Sequence, residues 1–261
     1  MTDLVLTEIK ARTLIVRLNR PERKNALTHA MYTAMYTAMG DALEQAGDDA
    51  NIRCVLFTGT SECFTAGNDL GEFAAGLPGD FEQTPVGRFL LLLASATKPV
   101  VASVNGAAVG IGTTMLLHCD LVFAGNNTAF QMPFASLGLC PEGGSSLLLP
   151  SWIGRVRTAE LLMLGGAFSA EEALRLGLIN RVCEPEQTEV NAFEACQRLT
   201  EKAPAAIRAT KALLNKPTLE ALRETMLGEG QLFAERLKSP EAAEAFRAFM
   251  EKRAPDFSRF E

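Results

Sequence analysis

The stretch VASVNGAAVGIGTTMLLHCDLVFAG, residues 101–125, runs from a strand through a turn and a helix into a second strand. Its apolar residues predict buried strands at 99–104 and 121–124, because such short runs are typical of strands covered on both faces. Asn105 and Gly106 predict a turn, and residues 110–118 predict a helix. Strands that alternate with helices at this spacing indicate an α/β fold with crossover connections.

The same alternation continues on both sides of this stretch. Further strands are predicted at residues 4–9, 13–18, 52–58, 129–132 and 179–182. Helices are predicted after Thr28, which can cap the first of them, at 88–96, and in three short pieces after residue 145. Residues 71–88 are rich in glycine, proline and charge, and predict a mobile loop. From residue 186 onward helix follows helix, so we predict an α/β core over 1–200 and a C-terminal helical oligomerisation region over 201–261.

Composition excludes several classes of protein. The chain has 261 residues, of which 48% are hydrophobic, and its net charge of -6 argues against a nucleic-acid partner. It contains no apolar run long enough to span a membrane, so no membrane association is expected. The six cysteines include no CxxC pair, and the N-terminus lacks a signal peptide, so reduced thiols and a cytoplasmic location are expected.

A single carboxylate stands out in the run LGLCPEGGSS, residues 137–146. Glu142 lies between Pro141 and two glycines, where the backbone must turn sharply beside apolar sequence. Glu142 is therefore a candidate catalytic group. The alternative is a carboxylate stabilised by the dipole of the helix that follows. The chain has only two histidines, His29 and His118, so a mechanism based on imidazole has few residues available.

Two glycine-bearing turns are a second candidate feature. FTAGNDL, residues 64–70, and NGAAVGIG, residues 105–112, each follow a predicted strand and lead into a predicted helix. Backbone N–H groups at such positions suit an anion or a developing oxyanion. Neither turn matches a dinucleotide-binding or P-loop motif.

Together these motifs resemble a known family. RLNRPERKNALT at 17–28, FTAGNDL, residues 101–125, FQMPFASLGLCPEGGSS and the closing FMEKR are similar to the enoyl-CoA hydratase/isomerase, or crotonase, superfamily. The resemblance covers nearly the whole chain. It implies a crotonase-like spiral of repeated ββα units with a C-terminal helical region. It also implies acyl-CoA thioester substrates, no metal or redox cofactor, and a homotrimer or hexamer.

The resemblance assigns roles to individual residues. It implies that the backbone N–H groups of Ala66 and Ile111 hold the thioester oxygen. The two glutamates of the hydratases correspond to Thr114 and Phe134, neither of which can act as a base at neutral pH. Glu142 matches the catalytic carboxylate of Δ3,Δ2-enoyl-CoA isomerases. An isomerase of unsaturated fatty-acid β-oxidation is therefore expected, and the alternatives are an enoyl-CoA hydratase, an acyl-CoA thioester hydrolase, or a noncatalytic CoA-binding protein.

Other positions are predicted to contact the substrate. They are Arg23, Lys24, Asn68, Asp69, Leu70, Gly110, Phe134, Leu137, Phe249 and Lys252. An apolar wall of Phe134, Leu137 and Leu139 is expected to raise the pKa of Glu142.

Several of these residues have simpler interpretations. Arg23 and Lys24 are equally consistent with solvated surface charges, and Asp69 with a cap of the turn that follows it. In the last helix, Ala242, Phe246, Phe249 and Met250 share one side at helical spacing. That side covers either the protein's own core or a neighbouring subunit, and plain core packing is the simpler interpretation of Phe249.

Overall fold

The computed structural model describes residues 3–44, 52–73 and 79–260. Ten strands lie within these ranges: β1 Val5–Lys10, β2 Thr13–Leu18, β3 Cys54–Thr58, β4 Cys63–Thr65, β5 Val100–Val104, β6 Ala107–Val109, β7 Leu121–Gly125, β8 Ala129–Gln131, β9 Phe168–Ser169 and β10 Arg181–Cys183. Eleven α-helices accompany them: α1 His29–Glu44, α2 Leu70–Phe73, α3 Pro85–Ala94, α4 Ile111–Thr114, α5 Ser145–Ile153, α6 Arg155–Ala159, α7 Ala170–Arg175, α8 Pro185–Thr200, α9 Pro204–Asn215, α10 Leu219–Leu237 and α11 Pro240–Met250.

The strands form two sheets. The larger has the order β1-β2-β3-β5-β7-β10, and it is parallel except for the β1–β2 pair. The smaller has the order β4-β6-β8-β9, with β8 and β9 antiparallel. Every residue of β3 and β5 is buried, because helices cover both faces of the larger sheet. Cys196 and Ala192 of α8 pack on one face, and the main core fills the other.

The chain repeats one unit three times. β3, β5 and β7 lie side by side in the larger sheet, and β4, β6 and β8, which follow them in the chain, lie side by side in the smaller one. A helix follows each pair of strands. The predicted α/β class and the spiral of ββα units are confirmed.

Three local predictions differ from the structure. The segment predicted as a loop at 71–88 contains the end of α2, a 3-10 turn at Phe81–Gln83 and the start of α3, while residues 74–78 lie outside the described residues. Thr84 explains the early start of α3, since its hydroxyl accepts from the Gly87 N–H at 3.0 Å. The helix predicted at 110–118 is a four-residue α4 followed by a 3-10 turn. β4 and β6 were missed because three residues carry too little periodicity to predict a strand.

The C-terminal helices α9, α10 and α11 follow α8, which ends at Thr200. They pack on the core: Lys211 Nζ of α9 lies 2.6 Å from Asp120 Oδ2, and Gly230 of α10 lies against the ring of Phe81. The residues predicted to share one side of α11 differ in burial: Ala242 is buried, whereas Phe249 is 61% exposed. Core packing was therefore the wrong interpretation of Phe249, and the oligomerisation role of residues 201–261 stays a prediction.

None of the helices within the described ranges has the length and apolar character needed to cross a bilayer.

Close contact between the repeats requires a glycine at position 112. A Cβ atom there would lie 2.5 Å from Cγ2 of the buried Thr65. We expect Gly112→Ala to destabilise the fold by about 1–3 kcal/mol, since the packed core cannot accept the added methyl group. Gly228→Ala is the matched control, because nothing lies within 4 Å of its Cβ position in α10, and we expect it to stabilise by roughly 0.5–1 kcal/mol. Urea denaturation of both variants measures the difference, and equal effects would contradict this account of the packing.

Candidate active site

Glu142 is a buried carboxylate on the turn that precedes α5. Its side chain is 7% exposed, and the Thr114 hydroxyl donates a short hydrogen bond to its Oε1 atom. Thr114 is itself fully buried at the end of α4, so this donor is held in place. One carboxylate oxygen is thereby fixed, and Oε2 has no protein hydrogen-bond donor among the described residues.

Contacts from three directions fix the backbone around Glu142. Ser145 donates its hydroxyl to the Glu142 carbonyl at 2.7 Å. His118 Nε2 lies 2.8 Å from the Gly143 carbonyl oxygen, and because a carbonyl can only accept, Nε2 carries the hydrogen. Glu229 of α10 accepts from the N–H groups of Gly144, at 2.6 Å, and Ser146, at 3.0 Å.

These contacts decide between the two interpretations of Glu142. The N–H groups at the start of α5 are satisfied by Glu229, and the side chain of Glu142 turns away from them toward Thr114. The alternative of a carboxylate stabilised at the helix N-terminus is wrong, because Glu229, 85 residues from Gly144, occupies that role.

Burial controls the protonation of Glu142. Desolvation raises the pKa of Glu142 to about 8, the Thr114 hydrogen bond opposes this rise, and the nearby charge of Glu229 adds to it. A carboxyl group with such a pKa can both accept and return a proton near neutral pH.

His118 is a neutral group in this site. Burial lowers its pKa to about 4, so the ring is uncharged at neutral pH. His118 therefore acts as a neutral donor to the Gly143 carbonyl.

The acidic side chains of the site have different environments. Among the acidic residues that the structure describes, Glu142 and Glu244 are buried. Glu244 is ion-paired with Arg247, Arg253 and Arg259. Hydrogen bonds from Arg253 and Arg247 hold its pKa well below the usual range. Of these two buried acids, Glu142 is the one whose charge is not neutralised by a cation.

The first glycine-bearing turn presents a donor different from the one predicted. The Ala66 N–H donates to the Lys24 carbonyl at 2.9 Å, so it is occupied. Leu27 donates to the Gly67 carbonyl at 2.8 Å and accepts from the Asp69 N–H at 2.9 Å. These two hydrogen bonds involve the residues on either side of Asn68, so the Asn68 N–H points away from Leu27. No described residue accepts a hydrogen bond from it. The assignment of Ala66 is corrected to Asn68.

The second turn supplies the other donor. Ile111 is the first residue of α4, so its N–H has no acceptor within the helix, and no described residue outside the helix accepts it. The turns are adjacent, because β4 pairs with β6 and the Cβ position of Gly67 lies only 2.8 Å from the Val109 carbonyl oxygen. Gly67 has a φ of 89°, which favours glycine as well. Asn68 and Ile111 therefore provide a pair of backbone donors.

An apolar wall borders the second turn. The ring of Phe134 is 5% exposed, lies 3.9 Å from the Cβ position of Gly110, and meets Phe233 of α10 edge to face. Phe73 packs on the other side of Phe233. Leu139 is buried, and Leu137 is partly buried against the core. Phe134 thus presents an apolar surface beside the second turn.

The other predicted substrate contacts lie around this centre. Arg23 and Lys24 are exposed on the turn beside Ala66. Asp69 accepts a hydrogen bond from the Gly71 N–H at 3.0 Å and forms an ion pair with Arg20 at 2.8 Å. It therefore caps the turn that follows it, as the simpler interpretation of Asp69 predicted. Leu70 begins α2. Phe249, near the end of α11, and Lys252, just beyond it, are exposed, and their contact with the substrate stays a prediction.

Three contributors were missed from the sequence: Tyr32, His118 and Glu229. Tyr32 is fully buried on α1, and its hydroxyl donates a short hydrogen bond to Asn68 Oδ1. The one sequence feature that could have drawn attention to Tyr32 is that the chain has only two tyrosines. Nothing local distinguishes Glu229 from the other glutamates of its helix.

A cavity of about 1370 Å³ opens between α3, α9 and α10. Its lining includes Tyr36, Arg88, Arg208, Leu222 and Met226, and does not include Glu142, Asn68 or Ile111. Leu222 and Met226 also contact Gly144, so the cavity is separated from the catalytic turn by this one layer of side chains.

Comparison with known proteins supports one family. A family model described as enoyl-CoA hydratase/isomerase matches residues 8–259. The 2,3-dehydroadipyl-CoA hydratase of Escherichia coli K12 is 31% identical over 98% of this chain and 99% of its own length. The 1,2-epoxyphenylacetyl-CoA isomerase of the same strain is 31% identical over 99% of each chain. The structure of Pseudomonas aeruginosa OdaA superposes with a TM-score of 0.90 at 46% identity, covering 95% of this chain and 99% of OdaA.

Two substitutions should move the pKa of Glu142 in opposite directions. Glu229→Gln removes a neighbouring negative charge, so we expect the pKa of Glu142 to fall below about 8. Thr114→Val removes the hydrogen bond that stabilises the ionised carboxylate, so we expect it to rise above about 8. Titration of carbon-13-labelled glutamate carboxyls by NMR measures both, with Glu142→Gln identifying the resonance. Shifts of the same sign in the two variants would contradict the assignment of these causes.

Proposed function

Because this chain belongs to the enoyl-CoA hydratase/isomerase family, the crotonase superfamily, we propose that it is a Δ3,Δ2-enoyl-CoA isomerase that moves the double bond of a 3-enoyl-CoA into conjugation with the thioester. The observation that carries this proposal is the buried carboxylate of Glu142, whose pKa is raised to about 8. The family resemblance adds that Thr114 and Phe134 correspond to the two glutamates of the hydratases. Isomerisation needs one group that removes and returns a proton. Hydration needs, in addition, a second group to position and activate water.

The proposed reaction proceeds in two proton transfers. Glu142, through Oε2, removes a proton from C2 of the substrate, and the electrons pass into the thioester carbonyl to give a dienolate. The N–H groups of Asn68 and Ile111 donate to the dienolate oxygen, where the negative charge accumulates. Protonated Glu142 then delivers the same proton to C4, which gives the 2-trans-enoyl-CoA. The proton is conserved, and no metal or redox cofactor enters the reaction.

The surroundings of Glu142 support this assignment. Thr114 holds Oε1 and leaves Oε2 for proton transfer. The aromatic wall of Phe134 and Phe233 excludes water from the dienolate. Desolvation raises the basicity of Glu142, which brings it nearer to that of the carbon acid. A product with its double bond conjugated to the thioester is the form that a hydration step of β-oxidation consumes, and we propose that pathway for this protein, acting as a homotrimer or hexamer.

The first test separates isomerase from hydratase and thioester hydrolase. Purified protein is incubated with a 3-enoyl-CoA, and the ultraviolet absorbance of the conjugated thioester is followed. We expect the absorbance to rise. In parallel, a 2-enoyl-CoA should keep its absorbance, and neither substrate should release free CoA thiol. Rapid loss of absorbance from the 2-enoyl-CoA would favour a hydratase, thiol release would favour a hydrolase, and no reaction would favour a CoA-binding protein.

Removing the carboxylate should abolish isomerisation. We expect Glu142→Gln to lower kcat by about 10²- to 10⁴-fold, the usual contribution of general acid–base catalysis. In the native enzyme, kcat should rise with pH as Glu142 ionises near its pKa of about 8 and level off above it. Glu194→Gln, an exposed glutamate on α8, should leave kcat unchanged. Undiminished turnover in the Glu142 variant would refute the proposed role.

Glu142→Gln should also change how the stability of the fold depends on pH. The folded pKa of Glu142 is raised from 4.5 to about 8, so its neutral form stabilises the fold below pH 4.5, and that stability is lost as the pH rises through about 8. Glutamine stays neutral throughout. We therefore expect the Tm of Glu142→Gln, relative to the native protein, to increase between pH 4.5 and 8, which differential scanning calorimetry measures. A pH-independent difference would argue against a raised pKa.

A further inference from the structure

Tyr32 is a buried residue whose hydroxyl forms a hydrogen bond with Asn68. Its side chain is 1% exposed, and its ring packs against Phe89 with the centroids 5.9 Å apart. The hydroxyl donates to Asn68 Oδ1 across 36 residues of sequence. A buried hydroxyl requires such a partner, so this hydrogen bond specifies where the Asn68 side chain lies.

The same asparagine carries one of the two backbone donors. The bonds of Leu27 to its neighbours Gly67 and Asp69 hold the chain on one side of Asn68, and the N–H of Asn68 faces the other. Gly67, which precedes it, has a φ of 89° and no side chain to restrict that peptide. The Asn68 side chain is thus a further attachment, beyond the bonds of Leu27, that can hold the direction of its N–H.

The hydroxyl of Tyr32 stays protonated under working conditions. Burial, and to a smaller extent the charge of Glu142, raise the pKa of Tyr32 well above 10. Tyr32 therefore remains a hydrogen-bond donor. Since its hydrogen is given to Asn68 Oδ1, the phenol is suited to orienting Asn68 rather than to donating a proton to the substrate.

We propose that Tyr32 is a positioning residue that orients the Asn68 N–H toward the thioester oxygen by holding the Asn68 side chain. This inference deepens the proposed function and rests on its pair of backbone donors. Loss of the Tyr32 hydroxyl should therefore slow only the step in which negative charge develops on the thioester oxygen.

The test uses the carbonyl stretch of a bound, unreactive thioester. A saturated acyl-CoA labelled with carbon-13 at the carbonyl is bound to the native protein, and infrared difference spectroscopy measures how far hydrogen bonding lowers its frequency. Tyr32→Phe keeps the ring against Phe89 and removes the hydroxyl. We expect a smaller frequency shift and about a tenfold lower kcat for isomerisation, less than the 10²- to 10³-fold that follows loss of a whole oxyanion donor. KM and Tm should change little.

Two further variants make the test specific. Tyr36→Phe is the matched control, since Tyr36 is half-buried one turn further along α1 and lines the separate cavity, and it should match the native protein. Asn68→Ala removes the other partner of the hydrogen bond, so it should reproduce the effect of Tyr32→Phe, and the double variant should be no worse than either. Additive losses would indicate that Tyr32 acts independently of Asn68 and would overturn the proposal.

The outcomes separate this inference from the proposed function. A native frequency shift and native kcat in Tyr32→Phe would overturn the role of Tyr32 and leave the backbone donors intact. No frequency shift in the native protein would overturn the donor pair itself, and this inference with it. A reduced shift in Tyr32→Phe supports the role of Tyr32 whichever reaction of the thioester the enzyme catalyses.

Discussion

The site depends on the removal of one carboxylate from water. An ionised Glu142 at 7% exposure is unfavourable, and the fold offsets this cost with few contacts: the Thr114 hydroxyl on one oxygen, and a surrounding turn held by His118 and Glu229. A stronger partner such as an arginine would stabilise the charged form and lower the pKa, as happens at Glu244. The absence of a cation among the described neighbours of Glu142 is what leaves its pKa raised.

The repeated ββα unit explains why the two backbone donors lie on adjacent turns. Each repeat ends a strand of the larger sheet and then adds a short strand to the smaller one, so successive turns stack against each other. Glycines at 67 and 112 permit the approach. The turns bring together backbone N–H groups whose directions are set by strand pairing, and such donors need no reorganisation when charge develops.

The C-terminal helices contribute to the site as well as to the outer surface. α10 supplies Glu229 to the start of α5 and Phe233 to the aromatic wall, and its Leu222 and Met226 support Gly144. The sequence separates a core over 1–200 from a helical region over 201–261. In the structure, residues of the helical region contact the turn that carries Glu142. Any movement of α10 is therefore expected to alter both the geometry and the pKa of Glu142.

The sequence by itself determined the strands β2, β3, β5 and β7, the Thr28 cap, the family, and Glu142 as the candidate base, since each leaves a local pattern of burial, turn residues or motif. It did not determine which N–H of FTAGNDL is available, that Tyr32 holds Asn68, or that Glu229 and not Glu142 satisfies the start of α5. The direction of a hydrogen bond and the desolvation of a charge depend on partners 36 or 85 residues away. Only the tertiary structure brings those partners together, and so only it decides which groups are free to act.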